Sequence, residues 1–466
     1  MRKAAVLLAV ALLAACSQQV KYVQPGLPTA PEYPAGTWPQ AQGPRALEIA
    51  WRSFFADPRL QILIERALAN NRGLRAAVLR IEEARGQYRI QRADRLPTVE
   101  ATGGASVARS NLTGQASTDT RFDVGAGVAS FELDFWGRVR SLTEAARANY
   151  LSTIHAQRAF QIGLVADVAE AYLTERELDG RIGIAERTVA SRTRALEIGR
   201  LRLQAGVTSG LDYRQIETLL AQAQAQLADL QLQRAQTRNT LEFLVGGPVT
   251  DALPTPLPLE RQGLVENITA GLPSELLANR PDILEAEELL RAANANVGAA
   301  RAERFPRISL TGALGLASNA LGGLFSGGAF SFNGGAGVGL PIFDGGRIRG
   351  NQAVADARYG IAIASYDRAV QQAFREVSDR LAARRWLADR LQAQQRELEA
   401  QRVRSNLATL RYQNGVTSYL EVLDAQRELF AAEQQVLATR REQLTNAVDL
   451  YVALGGGIER PAATGA

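Results

Sequence analysis

At 466 residues, with 22% charged side chains and a formal charge of +5, the chain is long enough for two or three ordinary domains, and its charge is too weak and too evenly spread to point to nucleic acid. One His, one Met and one Cys leave no inventory for a metal centre or a His-dependent active site, so neither a cofactor nor an enzymatic activity is expected.

Arg2-Lys3, the apolar run from Ala4 to Ala14 and the small residues before Cys16 read as a signal peptide over 1–15, since so short a run does not span a bilayer. Leu13-Ala14-Ala15-Cys16 is similar to the bacterial lipobox, whose Cys takes a covalent lipid such as palmitate and becomes the first residue of the mature lipoprotein; an incidental thiol is the plainer alternative. Ser17, where an Asp would favour the inner membrane, fits sorting to the outer membrane. No later stretch is apolar enough for a transmembrane helix. Residues 16–56 are rich in Pro, Gly and Gln, with aromatic spots at Tyr22, Tyr33 and Trp38, and read as an extended tether without a core of its own.

Helix opens at Asp57-Pro58, Asp capping and Pro filling the first turn, and runs with breaks near Asn70 to Gly73 as far as Arg95. From 98 to 108 the period becomes two, with Val99, Ala101, Gly103, Ala105 and Val107 on one face. A polar loop over about 109–121 and a second alternating run over about 122–134 (Phe122, Val124, Ala126, Val128) complete a β-hairpin. Helix resumes at Trp136-Gly137 and continues without Pro to about Ala205, roughly 100 Å at 1.5 Å per residue, a rod no globular domain encloses. It bends at Gly206-Val207-Thr208-Ser209 and returns along a seam at Ile216, Leu220, Ala223, Leu227, Leu230, Arg234, Thr237, Leu241 and Leu244, spaced as in a coiled coil. Residues 248–280, with Pro254, Pro256 and Pro258, form a linker expected to make an equatorial collar with one short helix.

The first repeat, 57–247, is followed by a second, 281–456, and a shift of 209 positions superimposes them without slippage from about residue 68 to 247. Arg92 to Pro97 falls on Arg301 to Pro306, Gly137-Arg138-Val139-Arg140 on Gly346-Arg347-Ile348-Arg349, the first bend on Gly415-Val416-Thr417-Ser418, and Gly246-Gly247 on Gly455-Gly456. A second β-hairpin at about 307–342 has Ile308, Leu310, Gly312, Leu314 and Leu316 on one face and Phe332, Ala336, Val338 and Leu340 on its other strand. Two heptad rows follow, one through Ile363, Val370, Val377, Leu391 and Leu398, the other through Leu423, Phe430, Leu437, Leu444 and Tyr451. Residues 457–466 read as a tail.

Strands of about ten residues are long enough to cross a bilayer when tilted. Four strands cannot close into a barrel, and an open edge cannot face lipid with its backbone groups unpaired. Three chains would supply twelve. The expected fold class is therefore α+β and membranous: a homotrimeric 12-stranded outer-membrane β-barrel, four strands per chain, continued by a long α-helical periplasmic barrel with an internal two-fold repeat. The alternative is a periplasmic coiled-coil adaptor or scaffold lipoprotein without a pore, a class that lacks amphipathic strands at its helix junctions.

Asp57-Pro58 with Leu60 and Ile64, Ala67-Leu68-Ala69-Asn70, Phe131 to Arg138, Arg280-Pro281-Asp282 and Gly415 to Gln426 resemble the outer-membrane efflux factors of the TolC/OprM type, in their lipidated NodT-like branch, over about residues 50 to 456. The resemblance implies a passive channel lying in the outer membrane and reaching into the periplasm. It would serve a tripartite pump of multidrug resistance, with a periplasmic adaptor (membrane fusion protein) and an inner-membrane transporter of the resistance-nodulation-division type, and would pass drugs or other toxic small molecules. It implies adaptor-docking tips at Gly206, Val207, Thr208, Ser209, Gly415, Val416, Thr417 and Ser418. Glu421 and Asp424 match carboxylates lining a periplasmic aperture, Asp212 stands where Glu421 stands in the second half, and Tyr412 matches a tyrosine whose polar contacts hold the helices together. Thr417 stands where some relatives carry Arg. In a trimer Glu421 and Asp424 would ring a narrow opening with like charges. The plainer readings are helix C-caps for Gly206 and Gly415, and favourable first-turn acids for Asp212 and Glu421.

Overall fold

The computed structural model describes residues 18–26, 28–30, 33, 43–110, 117–250, 253–271 and 273–457. The signal peptide, Cys16, Trp38 and the tail from 458 onward lie outside them. The chain divides into two compact units, one made of Met1–Gly26, Leu79–Ile154 and Glu285–Arg368, the other of Leu27–Val78, His155–Leu284 and Ala369–Ala466.

The first unit holds an antiparallel sheet in the order β1 (Glu100–Ser110), β2 (Ser117–Glu132), β3 (Arg307–Ser318), β4 (Phe330–Gly339). Its register aligns Val107 with Thr120, Ala105 with Phe122, Gly103 with Val124 and Ala101 with Ala126; Leu316 and Leu314 continue from Val124 and Ala126, and Phe330 and Phe332 from those. Cross-strand partners share a face, so the apolar positions read from the alternation that fall within the strands lie on one side, while Val99 and Leu340 fall just outside them. Thr102, Ser106, Asp123, Arg121, Ser309 and Thr311 lie on the other. The connection between β1 and β2 is shorter than the 109–121 read from sequence, because the ladder runs on to Ser110 opposite Ser117. Its last pairs, built from Arg109, Thr118, Asp119 and Arg121, are polar on nearly every position, and a strand without an apolar face leaves no alternation to read. Where the two hairpins meet, a Cβ on Gly125 would lie 2.5 Å from the Leu314 carbonyl oxygen and one on Gly315 2.3 Å from that of Val124, so this seam admits only glycine.

The sheet joins the helices at a fixed corner. Trp136 donates to the Pro306 carbonyl at 2.7 Å and stacks on Phe305, while Asp134 accepts from the Val139 and Arg140 N–H groups at 3.0 and 2.7 Å and so caps the long helix that follows. The tether is held along the same unit. The Gln18 N–H donates to the Trp136 carbonyl at 3.0 Å, Asn294 to the Val20 carbonyl at 2.9 Å, the Tyr22 hydroxyl to Glu287 at 3.3 Å and Gln24 to the Tyr366 hydroxyl at 3.3 Å.

The helices are α1 (Trp51–Phe54), α2 (Pro58–Asn70), α3 (Arg72–Ala93), α4 (Arg138–Gln204), α5 (Gly210–Val245), α6 (Pro273–Asn279), α7 (Pro281–Ala302), α8 (Arg347–Gln413) and α9 (Tyr419–Ala453). Among the described residues none is apolar enough to cross a membrane. In the second unit the heptad row of α9 is core: Leu423, Leu437, Leu444 and Tyr451 are buried, and Tyr451 stacks on Phe54. Leu178 and Ala185 of α4 close on Leu230 of α5 with Phe430 against them.

Two of the sequence blocks now have a physical reason. Asp57 is fully buried and accepts from the Arg59 N–H (2.8 Å), the Tyr172 hydroxyl (2.6 Å), the Leu257 N–H (3.2 Å) and Gln262 (3.2 Å), so one carboxylate ties α2, α4 and the linker together. Arg280, also buried, forks onto Asp282 (3.0 and 2.7 Å), reaches Glu376 (2.8 Å) and donates to the Ala453 carbonyl (3.0 Å). Asn71, its counterpart in the first half, donates to the Leu244 carbonyl at 2.8 Å.

Candidate functional site

The two bends are built alike and finished differently. α4 ends as Gly206 turns left-handed at φ +70°, with its N–H on the Leu203 carbonyl (3.0 Å) and the Val207 N–H on that of Arg202 (2.9 Å). At the end of α8, Gly415 does the same at φ +72°, on Tyr412 (3.0 Å) and Arg411 (2.9 Å). The glycine cap is therefore the local reason for each bend. Beyond it Val207 and Leu211, and Val416 and Leu420, are exposed.

After the first bend, Ser209 and Asp212 form a capping box. The Asp212 N–H donates to the Ser209 hydroxyl at 3.1 Å, and the Ser209 N–H and Thr208 hydroxyl donate to the Asp212 carboxylate at 3.3 and 3.2 Å. The Ser209 hydroxyl and N–H, with Thr208, hold this carboxyl below the usual range. Asp212 is thus engaged in starting α5, the plainer of its two sequence readings.

After the second bend the cap is absent: Ser418 makes no side-chain cap bond, and the Thr417 hydroxyl turns instead to Glu421. Glu421 also takes Arg411 at 3.1 Å across the bend. Asp424, one turn on, is bracketed by Arg404 from α8 at 2.5 Å and Arg427 at 2.6 Å. The bare like charges expected at Glu421 and Asp424 are therefore matched within the chain by three arginines.

Tyr412 sits in the angle between α8 and α9. Its ring lies 4.9 Å from that of Tyr419, beside Ala408, Val422 and Ala425. Arg202, from the end of α4, donates to its hydroxyl and stands over its ring at 5.1 Å. Burial, aided by Tyr412 and opposed by Arg192, raises the Tyr419 hydroxyl above its ordinary value. Arg202 and Arg411 are counterparts in the two halves, yet Arg411 closes its own hairpin while Arg202 reaches the other one.

The structure thus brings Tyr412, Glu421 and Asp424 to one end of the α8–α9 hairpin and sets Asp212 at the start of α5. The four arginines were not singled out in the sequence. Only Arg427, three residues after Asp424 on one helix face, carried a signal there; Arg202, Arg404 and Arg411 come from helices that sequence spacing does not align.

An outer membrane efflux protein profile matches the chain twice, over residues 63–247 and 272–456. The solvent efflux pump outer membrane protein SrpC of Pseudomonas putida is 43% identical over 459 residues, covering 96% of this chain and 97% of that one. Outer membrane protein OprJ of Pseudomonas aeruginosa is 41% identical over 96% of this chain and 94% of its own length. Among solved structures, the open state of the Neisseria gonorrhoeae MtrE outer membrane channel superposes with a TM-score of 0.87 at 38% identity, covering 96% of this chain and all of that one. CusC follows at 0.83 and 37%, over 95% and 100%. Capped helical hairpins, a four-stranded sheet with an apolar face, and likeness over nearly the whole length converge: the chain belongs to the outer membrane efflux protein family and is the outer-membrane channel component of an efflux pump.

Proposed function

We propose that three copies of this chain close a 12-stranded barrel in the outer membrane and continue it as an α-helical conduit into the periplasm, docked at the tips of its helical hairpins on an adaptor that joins it to an inner-membrane transporter of the resistance-nodulation-division type. The observation that carries this reading is the sheet. It has an exposed apolar face, and β1 and β4 each pair on one side only among the described residues. Unpaired backbone at a sheet edge is not tolerated in lipid, so the edges require neighbours, and identical copies supply them in register.

The internal duplication is supported by the spacing of the two profile matches and by left-handed glycines that recur at the same interval, Gly137 with Gly346, Gly206 with Gly415 and Gly246 with Gly455. A lipid on Cys16 would sit two residues before Gln18, whose N–H is fastened at the sheet-to-helix corner. The relatives are named for solvents, toluene and antibiotics, which supports small toxic molecules as cargo. Near the tip, Val403, Leu407 and Ala408 line a mostly apolar groove flanked by Arg404 and Arg411, a fit for an amphipathic adaptor helix.

Light scattering of detergent-extracted protein tests the assembly. A trimer that dissociates only on heating is expected, and a strictly monomeric particle would overturn the proposal. Cysteines introduced at Val207 and Val416 should crosslink to the adaptor and not to the transporter.

A further inference from the structure

The turn between β3 and β4 differs from a water-facing loop in two independent ways, the absence of charge and the exposure of large apolar side chains. Residues 308–343, which take in the turn, β4 and all of β3 after Arg307, contain no charged side chain, whereas the first hairpin carries Arg109, Asp119, Arg121 and Asp123 towards its own turn. The turn pairs part of its backbone internally: N–H groups of Gly323, Leu324, Ser326 and Ala329 donate to the carbonyls of Ala320, Leu321, Gly323 and Ser326 at 3.0–3.3 Å. The Ser326 hydroxyl turns inward to Gly323, and the Ala317 N–H donates to the Ala329 carbonyl at 2.7 Å. Leu324 is tucked beneath, yet Leu321 and Phe325 are 63% and 81% exposed.

Level matters as well. β2 and β3 part at Phe122 opposite Ser318, while the β1–β2 ladder continues five pairs further, roughly 16 Å at about 3.3 Å per residue. The second hairpin therefore turns back while still beside strand, and the charged end of the first hairpin projects past it. Phe330 and Phe332, exposed on the apolar face next to the turn, extend the same surface.

We infer that the β3–β4 turn is a lipid contact, lying at the outer border of the membrane with Leu321 and Phe325 among acyl chains instead of reaching into water. A turn without charge takes no ion out of water, its remaining N–H groups can reach the headgroups at that border, and its apolar side chains continue the face that the strands present. This rests on the reading of the sheet as a membrane wall, and the test separates the two.

The full chain carrying Phe325→Cys, and separately Phe332→Cys in β4, is spin-labelled in outer-membrane vesicles, with the wild-type chain, whose single cysteine is Cys16, setting the background. Collision with oxygen, which concentrates in acyl chains, is compared with collision with a water-soluble nickel chelate. Both labels are expected to favour oxygen. If position 332 favours oxygen and position 325 favours nickel, the turn is aqueous and this inference falls while the wall stands. Low accessibility to both reagents at 325, as for a turn packed on a second copy or over the pore mouth, overturns it equally. If position 332 favours nickel, the membrane reading of the sheet fails first.

Discussion

Arg202, at the end of α4, holds Tyr412 by a hydrogen bond and by standing over its ring at once. Removing either partner should free the same contact. Arg202→Ala and Tyr412→Phe are each expected to raise the open probability of channels in planar bilayers several-fold, and the double variant should do no more than the stronger single; additive effects would show that the two act separately. Asp424 argues differently, because it is held by two cations. Asp424→Asn removes the one carboxylate of Arg404 among the described residues and leaves Arg427 with Glu428 alone, so cation preference, read from the reversal potential in a salt gradient, should fall; an unchanged potential would place these side chains away from the ion path. Each pair is half-exposed and on its own worth only about 0–1 kcal/mol to stability. The carboxylates were legible because Gly415 to Gln426 resembles a block of the efflux factors, whereas Arg404 and Arg411, which oppose them from the neighbouring helix, become visible only when the hairpin is folded.

At the scale of elements, periodicity carried most of the fold. Alternation gave the apolar faces of the strands, three- and four-residue spacing gave the buried positions Leu230 and Leu241, and a seven-residue repeat gave Leu437 and Leu444. It failed at residues 117–121, a Ser-Thr-Asp-Thr-Arg run with no apolar side chain of its own through which the ladder of backbone bonds nonetheless persists. Glycine was legible as punctuation but not as close approach. Gly206 and Gly415 have no neighbour within 4 Å of an added Cβ, so Gly415→Ala should cost only the left-handed backbone, about 1 kcal/mol, and leave assembly intact. Gly125→Val, by contrast, drives a side chain into the backbone of β3, and no assembled trimer is expected on native gels. A Gly125→Val chain that assembles normally would mean that the seam can open.

For the whole molecule, a half-buried carboxyl makes stability depend on pH. Burial pushes the Glu170 carboxyl up to about 8, helped by a hydrogen bond from the pair with Asp449 and by the charge of Asp167, and opposed by Arg380. Between its unfolded value near 4.5 and about 8 the native state holds the extra proton, so the contribution is complete at low pH and is lost as pH rises through that window. Thermal unfolding in detergent should show a falling midpoint from pH 5 to pH 8.5, and Glu170→Gln should flatten the slope; an unaltered slope would assign the dependence elsewhere. The tether has a consequence for how the chain is made. Its partners Glu287, Asn294 and Tyr366 are synthesised hundreds of residues after it, so its seat does not exist until most of the polypeptide has emerged. Through that interval the first residues stay open to whatever enzyme works on them, and docking them becomes one of the last acts of maturation, a long-range closure of the kind that slows folding.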